Sequence, residues 1–403
     1  MSERSIDGLT VPERRPANIA EAGEIIRESA ARGEAIYPVG GGTALDDGLP
    51  PSRPGTALNL SKLDAIVDYP ARDLTVTVEA GLTMQALADV LAKEGQWLPI
   101  DVPYPDRATV GGAMATNWSG PRRYGQGTFR DYVLGISFLD DGGRLIRGGG
   151  RVVKNVAGYD LMKLMIGSFG TMAAIVQVTL KVKPKPEASH ATAFRIGTAA
   201  LGPTLDRLHD SKSRPCILEV EKVPGGWDIA CGFEEKAETA AWQLRTLRDE
   251  LGTSPAKDVR EFAGETATAL WQRLNHGPSR SAESTVVKLS VPPSKLATLL
   301  ANAEAANGDA AIQAHAGNGI AFVTVPAELG LDATSAICGT LLREASGAGG
   351  HVRICKAPTA WKAMLPVWGR ETPDRDVMRA IKTALDPNDL FNPGRFFAAA
   401  RGL

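Results

Sequence analysis

Residues 37–48 read YPVGGGTALDDG, an apolar strand-like lead running straight into three consecutive glycines. A dinucleotide-binding turn of the G-x-G-x-x-G kind needs glycine at its sixth position; counting from Gly40, the chain has Leu45 there. A phosphate loop of the Walker kind needs Lys-Ser or Lys-Thr after its last glycine, and here the chain runs Gly42-Thr43-Ala44. What is left is a loop after a strand whose backbone N–H groups approach an anion without a Cβ in the way, with the Thr43 hydroxyl as an added donor. A diphosphate suits such a loop, and so does no ligand at all, since glycine clusters also make plain turns. Two further clusters weigh against turns alone. Gly111 and Gly112 stand with Thr109, Thr116, Asn117, Ser119 and Gly120, and GSFGT occupies 167–171. One long phosphorylated cofactor touching all three would account for them.

Outward from the glycines, the first half is orderly. Asn18 with Glu21 three residues on, then Ile19, Ala22, Ile25 and Ile26, predicts a capped helix stopped by Gly33. LTVTVEAG alternates as a half-buried strand, and Thr83 caps a helix through Met84, Leu87, Val90 and Leu91. Segment 109–124 is too rich in Gly, Asn and Ser to be regular throughout, and YVLGISFLD, DDGG and RLIRGG make a hairpin. Alternation over Ala174–Val182 predicts a strand, and the KPKPE linker after it places a domain boundary near Glu187. Beyond it HATAFRI, a helix, CILEVEK and WDIACGF form one strand-helix-strand-strand unit, and STVVKLSV, a helix, AAIQAHA and IAFVTVP form another. Two such units predict an antiparallel sheet backed by helices, so the fold class is α+β. The expected organisation is 1–187, 188–348 and a C-terminal segment 349–403 carrying HVRIC, a helix and DPNDLFNPGRF.

Composition narrows the function. With 45 Lys+Arg against 46 Asp+Glu the chain has no general bias toward nucleic acid or a membrane surface. No apolar run approaches the ~18 residues of a transmembrane segment, and the charged start MSERSIDGLTVPERR lacks a signal-peptide core, so the cytoplasm is expected. Cys216, Cys231, Cys338 and Cys355 are scattered without a CxxC pair, so no metal or cluster site is expected in this chain.

At this point the residues carry a resemblance. PVGGGT at 38–43, PDRATVGGAMATNWSGPRRYGQGTFRDYVLG at 105–135, VVKNVAGYDLMKLMIGSFGT at 152–171 and LDPNDLFNPGRF at 385–396 resemble the vanillyl-alcohol-oxidase (PCMH-type) family of FAD-binding flavoproteins. Within it they are most similar to the FAD-binding subunits of bacterial glycolate oxidases. The resemblance implies an FAD-binding domain of two α+β subdomains, an α+β cap with an antiparallel sheet over the flavin, and a C-terminal segment returning to the FAD domain. It implies that Pro38, Val39, Gly40, Gly41, Gly42, Thr43 and Ala44 hold the pyrophosphate. It likewise implies that Thr109, Gly111, Gly112, Thr116, Asn117, Ser119 and Gly120 line the diphosphate and flavin side, and that Gly170 and Ile175 contact the ribityl or adenosine end. Where the family has glycine two residues before that isoleucine, this chain has Ala173. No histidine precedes His190, and Cys216 and Cys231 fall in the expected cap, so the FAD should be noncovalent.

The same resemblance implies a small 2-hydroxy acid, glycolate or D-lactate, as substrate, and as partners a larger catalytic flavoprotein subunit and an iron–sulfur subunit, any membrane association being peripheral and through them. Oxidation of a hydroxy acid needs a base for the hydroxyl proton and a cation for the carboxylate. The catalytic relatives carry HxGDGNxH; this chain has His315-Ala316-Gly317-Asn318-Gly319-Ile320, without the aspartate and the second histidine. His315 is thus either a strand-end residue or a catalytic one. His351 and Arg353 in GGHVRICK either face the flavin, Arg353 clamping a carboxylate, or lie at the surface. Arg122 and Arg123 suit cofactor phosphates, a substrate carboxylate or a partner. Two readings follow: a hydroxy-acid dehydrogenase component, or an accessory, electron-routing subunit, favoured by the reduced histidine motif. A stand-alone sugar or lactone oxidoreductase is the further alternative.

Overall fold

The computed structural model describes residues 2–150, 159–252, 256–277 and 284–397, and the chain divides into two units. The first comprises 1–118, 128–185 and 371–403; the second comprises 119–127 and 186–370.

Among its described residues the first unit holds two larger sheets and a two-stranded pairing of Gln96–Trp97 with Lys183–Pro184. One is four-stranded in the order Ser2–Ile6, Leu9–Arg14, Gly55–Asn59, Ala35–Val39, parallel at its last two pairings. The other is an antiparallel five-stranded sheet in the order Ile66–Asp68, Thr75–Glu79, Ala174–Lys181, Val133–Leu139, Leu145–Gly149. The helix Ile19–Arg32 begins where expected: Asn18 accepts from the Glu21 N–H at 2.9 Å, the Glu21 carboxylate accepts from the Ala17 N–H, and Gly33 closes it in the left-handed region. Its apolar face buries Ala22, Ile25 and Ile26 against Ile36 and Leu58. The first hairpin is not anticipated above. Its signal is IDGL, where Asp7 and Gly8 both take positive φ, as a two-residue hairpin turn demands.

That hairpin is locked by charge. Glu13 is buried and its carboxylate accepts from Asn59 at 2.8 Å, Arg15 at 2.8 Å and Arg4 at 2.7 Å. Burial pushes its carboxyl up, but those three donors outweigh it and hold the group at about 2, below the ordinary 4.5. The folded value is the depressed one, so this stability is present above pH 4.5 and is lost as pH falls toward 2. The melting temperature should therefore drop across that window, and Glu13→Gln should flatten the drop; an unchanged slope in the variant would assign the acid sensitivity elsewhere.

The second unit is built on one antiparallel sheet of eight strands, and its order exposes a duplication. Ala188–Ile196, helix Leu201–His209, Ile217–Val223, Gly226–Glu235, helix Ala237–Leu251 and Lys257–Ala263 make a β-α-β-β-α-β unit. Thr285–Ser290, helix Pro293–Ala306, Ala311–His315, Ile320–Val325, helix Gly330–Gly347 and His351–Lys356 repeat it. In each repeat the last strand pairs outside the first, and the repeats join edge to edge at Ile217–Val223 and Ala311–His315. Val220, Ile229, Val287, Leu289, Val323, Val352 and Ile354 point to the face covered by the four repeat helices, forming its main core. Lys257–Ala263 and the helix Glu265–Asn275 lie outside the sequence expectations; Trp271 of that helix packs on Ala191, Ala193, Ile217 and Ala230 on the other face.

The fold class is the expected α+β. The C-terminal segment divides differently from expectation: His351–Lys356 pairs with Thr285–Ser290 to complete the second repeat, because Val352 and Ile354 alternate into that core, and the return to the first unit starts at Glu371. Among the described residues no helix is long and apolar enough to cross a membrane.

Candidate functional site

The strand Ala35–Val39 is buried through Tyr37 and Val39, and its carboxyl end delivers the three glycines to a cleft in the first unit. A Cβ on Gly40 would lie 2.1 Å from Oγ1 of Thr109, and one on Gly41 would lie 1.7 Å from the Arg107 carbonyl oxygen. The first two glycines thus let two loops touch, and Gly42, at φ 72°, turns the chain in the left-handed region. Thr109 caps the helix Val110–Thr116, accepting from the Gly112 N–H at 3.3 Å, and Gly111 lies flat on Ala80.

Among the described residues no backbone amide of Gly41, Gly42, Thr43 or Ala44 donates to a protein group. A tight, glycine-lined loop presenting several uncommitted N–H groups is an anion cradle. Arg395, 5% exposed, also lines this cleft; its guanidinium donates to the Asp47 carbonyl at 2.9 Å and lies 3.6 Å from the Asp7 carboxylate. Burial pushes its pKa down while Asp7, Asp47 and Asp46 oppose this. A guanidinium stays charged in such surroundings, so the cleft carries a fixed cation among neutral donors. This donor set fits the diphosphate of FAD.

The C-terminal return builds one wall. Asn392 donates its amide N–H to the Phe169 carbonyl at 2.8 Å and the Gly170 carbonyl at 3.2 Å, and Phe391 bridges to Ile36. Lys382 clamps Asp386, Asp389 and the Phe391 carbonyl, and Asp386 in turn accepts from the N–H groups of Leu390 and Phe391. Asn392 and Arg395 line the cleft although the site assignments from sequence stop at Ile175; their signal is the NPGRF of the C-terminal motif.

Of the residues singled out from the sequence, Pro38, Val39, Gly40, Gly41, Gly42, Thr43, Ala44, Thr109, Gly111, Gly112, Thr116, Gly170 and Ile175 line this cleft, together with Ala173. Asn117, Ser119 and Gly120 are not among the lining residues, and Ser119 and Gly120 belong to the second unit. Asn117 ends its helix at φ 49°, and its side-chain oxygen is buried without a hydrogen-bond partner among the described residues. Among the described residues no histidine or cysteine lines the cleft. Residues 151–158, within the third matching stretch, lie outside the described residues.

The second unit places most of the other residues singled out from the sequence. Arg122 makes a two-pronged contact with Glu234, Nε to Oε2 at 2.8 Å and Nη2 to Oε1 at 2.7 Å, and Arg123 donates to Ser119 Oγ at 3.0 Å. His315 is buried, with Nδ1 2.7 Å from the Glu219 carboxylate, whose other oxygen accepts from Gln313 at 3.1 Å. Gly317 lies against the Tyr124 ring and Gly319 turns at φ 67°, so both glycines of the reduced motif have packing reasons to be there. His351 is exposed, and Arg353 is half-buried with its guanidinium 5.7 Å from the Trp368 ring centre. Burial pushes the Cys216, Cys231 and Cys338 thiols up to about 12, which leaves them inert. Tyr159 is exposed, and Asp160 caps the helix Leu161–Met165 while pairing with Lys163.

Comparison with known proteins bears on this geometry. Residues 14–149 match the FAD binding domain family, and residues 368–396 match the C-terminal domain of FAD linked oxidases. The chain is 30% identical to glycolate oxidase subunit GlcE of Escherichia coli K12, over 85% of this chain and 88% of that protein. It is 27% identical to D-2-hydroxyglutarate dehydrogenase of Xanthomonas citri pv. viticola, over 95% and 88%, and 26% identical to glycolate oxidase subunit GlcD of Bacillus subtilis, over the same shares. Among solved structures, alkyldihydroxyacetonephosphate synthase superposes with a TM-score of 0.71 at 18% identity, covering 97% of this chain and 77% of that one, and so shares its fold.

Proposed function

We propose, from the premise that this chain belongs to the FAD-linked oxidase family of the glycolate oxidase subunits, that it serves as the FAD-binding subunit of a complex oxidising a small 2-hydroxy acid, glycolate or D-lactate. FAD is the cofactor of this family, and the observation that carries the reading is the cleft of uncommitted amides at Gly41–Ala44 with Arg395 beside them. Those amides, the Thr43 hydroxyl and Arg395 would hold the diphosphate, and the Thr109–Thr116 and Gly170–Ile175 walls would hold the rest. Neither histidine nor cysteine is among the described lining residues, which supports a noncovalently bound flavin. When bound, FAD supplies the two-electron acceptor that alcohol-to-carbonyl oxidation needs.

The proton and carboxylate chemistry belongs to this chain's side chains, and there the support divides. His315 is committed to Glu219, and the aspartate and second histidine of the family's motif are missing, which favours an accessory, electron-routing role beside a catalytic flavoprotein subunit and an iron–sulfur subunit. His351 and Arg353, on one strand and one face, favour the second reading, a chain that oxidises substrate itself, Arg353 clamping the carboxylate. The purified chain should be yellow, with flavin near one per chain that acid releases into the supernatant, and should turn over glycolate or D-lactate poorly without partners. A folded, flavin-free preparation would refute the cofactor assignment. Solo turnover lost in Arg353→Ala would decide for the second reading.

A further inference from the structure

The match to the FAD binding domain family begins at residue 14, so the turn Asp7-Gly8 of the first hairpin stands ahead of it. The hairpin nevertheless reaches the cleft. Ile6, 1% exposed, lines it and packs in one cluster with Tyr37 and Val39 of the strand that delivers the glycines. On the same strand as Ile6, Arg4 flanks the loop, its Nη1 3.7 Å from where a Cβ on Gly42 would lie. Asp-Gly suits the turn because both positions need positive φ, here 45° and 87°. The turn asks nothing of the carboxylate, since Asn-Gly serves it equally well. Around the tip Ser5, Gly8 and Thr10 are exposed, yet the Asp7 side chain is 1% exposed, with Oδ2 3.6 Å from Nη1 of Arg395.

Arg395 ties together segments that are distant in sequence. Its backbone carbonyl accepts from the Leu49 N–H at 3.0 Å and its Nη1 donates to the Asp47 carbonyl at 2.9 Å, so both ends of the residue hold the arm that continues the glycine loop. Asp7 adds the hairpin to this junction. A buried guanidinium has lost its hydration, and without a counter-charge its long side chain escapes that cost by swinging toward water. Asp7 leads the carboxylates that oppose the effect of burial on this group, ahead of Asp47 and Asp46. A carboxylate near an anion cradle also repels a diphosphate, but one already countered by a cation at 3.6 Å does so weakly, whereas a guanidinium that swings out takes its whole charge from the cleft. Holding the cation is the larger effect.

We propose that Asp7 is a positioning residue of the cofactor site, its carboxylate holding the Arg395 guanidinium in the cleft wall for a bound diphosphate. The inference deepens the functional reading above and rests on it for the assignment of that diphosphate to FAD. Nothing in the glycine loops or the C-terminal motif points to Asp7, which enters the site only through the fold of the hairpin.

The test is titration calorimetry of the full chain, stripped of flavin, with FAD and with ADP, which carries a diphosphate but no flavin. Asp7→Asn keeps the turn and should weaken both ligands about tenfold, the loss of one charge-assisted contact. Arg395→Met should weaken both further, and adding Asp7→Asn to it should change nothing more, because Asp7 acts through the guanidinium. A second loss of the same size in the double variant would mark a general effect of the hairpin and overturn the proposal, as would unchanged or tighter binding in Asp7→Asn. Should Arg395→Met not fold, Asp7→Glu, which keeps the charge, takes its place: binding near wild type upholds the proposal, and a loss equal to that of Asp7→Asn overturns it. ADP binding with this dependence by a chain that does not take FAD would uphold the role of Asp7 while refuting the cofactor assignment. FAD binding indifferent to Asp7→Asn would do the reverse, and a wild-type chain that binds neither ligand would overturn both.

Discussion

Gly41→Ala yields a chain that retains little flavin while its second unit melts as in wild type. The added Cβ would lie 1.7 Å from the Arg107 carbonyl oxygen and 2.6 Å from the carbonyl carbon, so it meets backbone that cannot rotate away. Arg107 is held in turn, its N–H donating to the Tyr104 carbonyl at 2.9 Å, and Thr109 is fixed as the cap of Val110–Thr116. The loops at 40–44 and 107–112 must therefore part, and overpacking of this kind costs about 1–3 kcal/mol. Parting them separates donors that have to converge on one diphosphate, so the flavin-to-protein absorbance ratio after gel filtration should fall about tenfold or more. Gly42→Ala is the informative comparison. There a Cβ has only Leu45 and Arg4 side-chain atoms near it, at 3.6 and 3.7 Å, and the strain is that of a left-handed backbone, about 1 kcal/mol. Full flavin content in Gly41→Ala would mean the glycines serve a turn with no cofactor function.

How far these features can be read from sequence depends on whether their cause is local. The cap at Asn18, the stop at Gly33, the hairpin from Val133 to Gly149 and the doubled strand-helix-strand-strand pattern are local, and each is legible in composition and spacing. The three glycines are legible as a ligand loop only by elimination, and half their reason is not local at all: Gly40 and Gly41 answer to Thr109 and Arg107, far along the chain. Arg395 and Asn392 escape notice for the same cause, since only the return of the C-terminal segment brings them beside 37–47. The role of Arg122 is likewise set by a partner, Glu234, 112 residues away.

Arg122→Ala should destabilise the second unit more than any other single truncation considered above. The contacts of the segment 119–127 within that unit include the Arg122–Glu234 pair, the Gly125 N–H donating to the Cys216 carbonyl at 2.9 Å, and the Tyr124 ring against Gly317 and the His209 ring. The first is an ion pair, and it is buried, with side-chain exposures of 14% and 2%. A buried pair of this sort adds little over an apolar pair of similar volume, because both ions lose their hydration. Removing one partner alone is another matter, for it strands the Glu234 carboxylate among Cys216 and the sheet, where among the described residues the Ser189 hydroxyl at 3.4 Å is what remains to replace the guanidinium. The expected loss is about 3–5 kcal/mol, a fall in the melting temperature on the order of 10 °C for a unit of this size. The double variant Arg122→Met/Glu234→Leu should recover most of it, since no charge is then left unpaired. That recovery separates a structural tether from a ligand contact: were Arg122 a phosphate or substrate ligand, the single variant would lose binding with its melting temperature unmoved, and the double variant would rescue nothing.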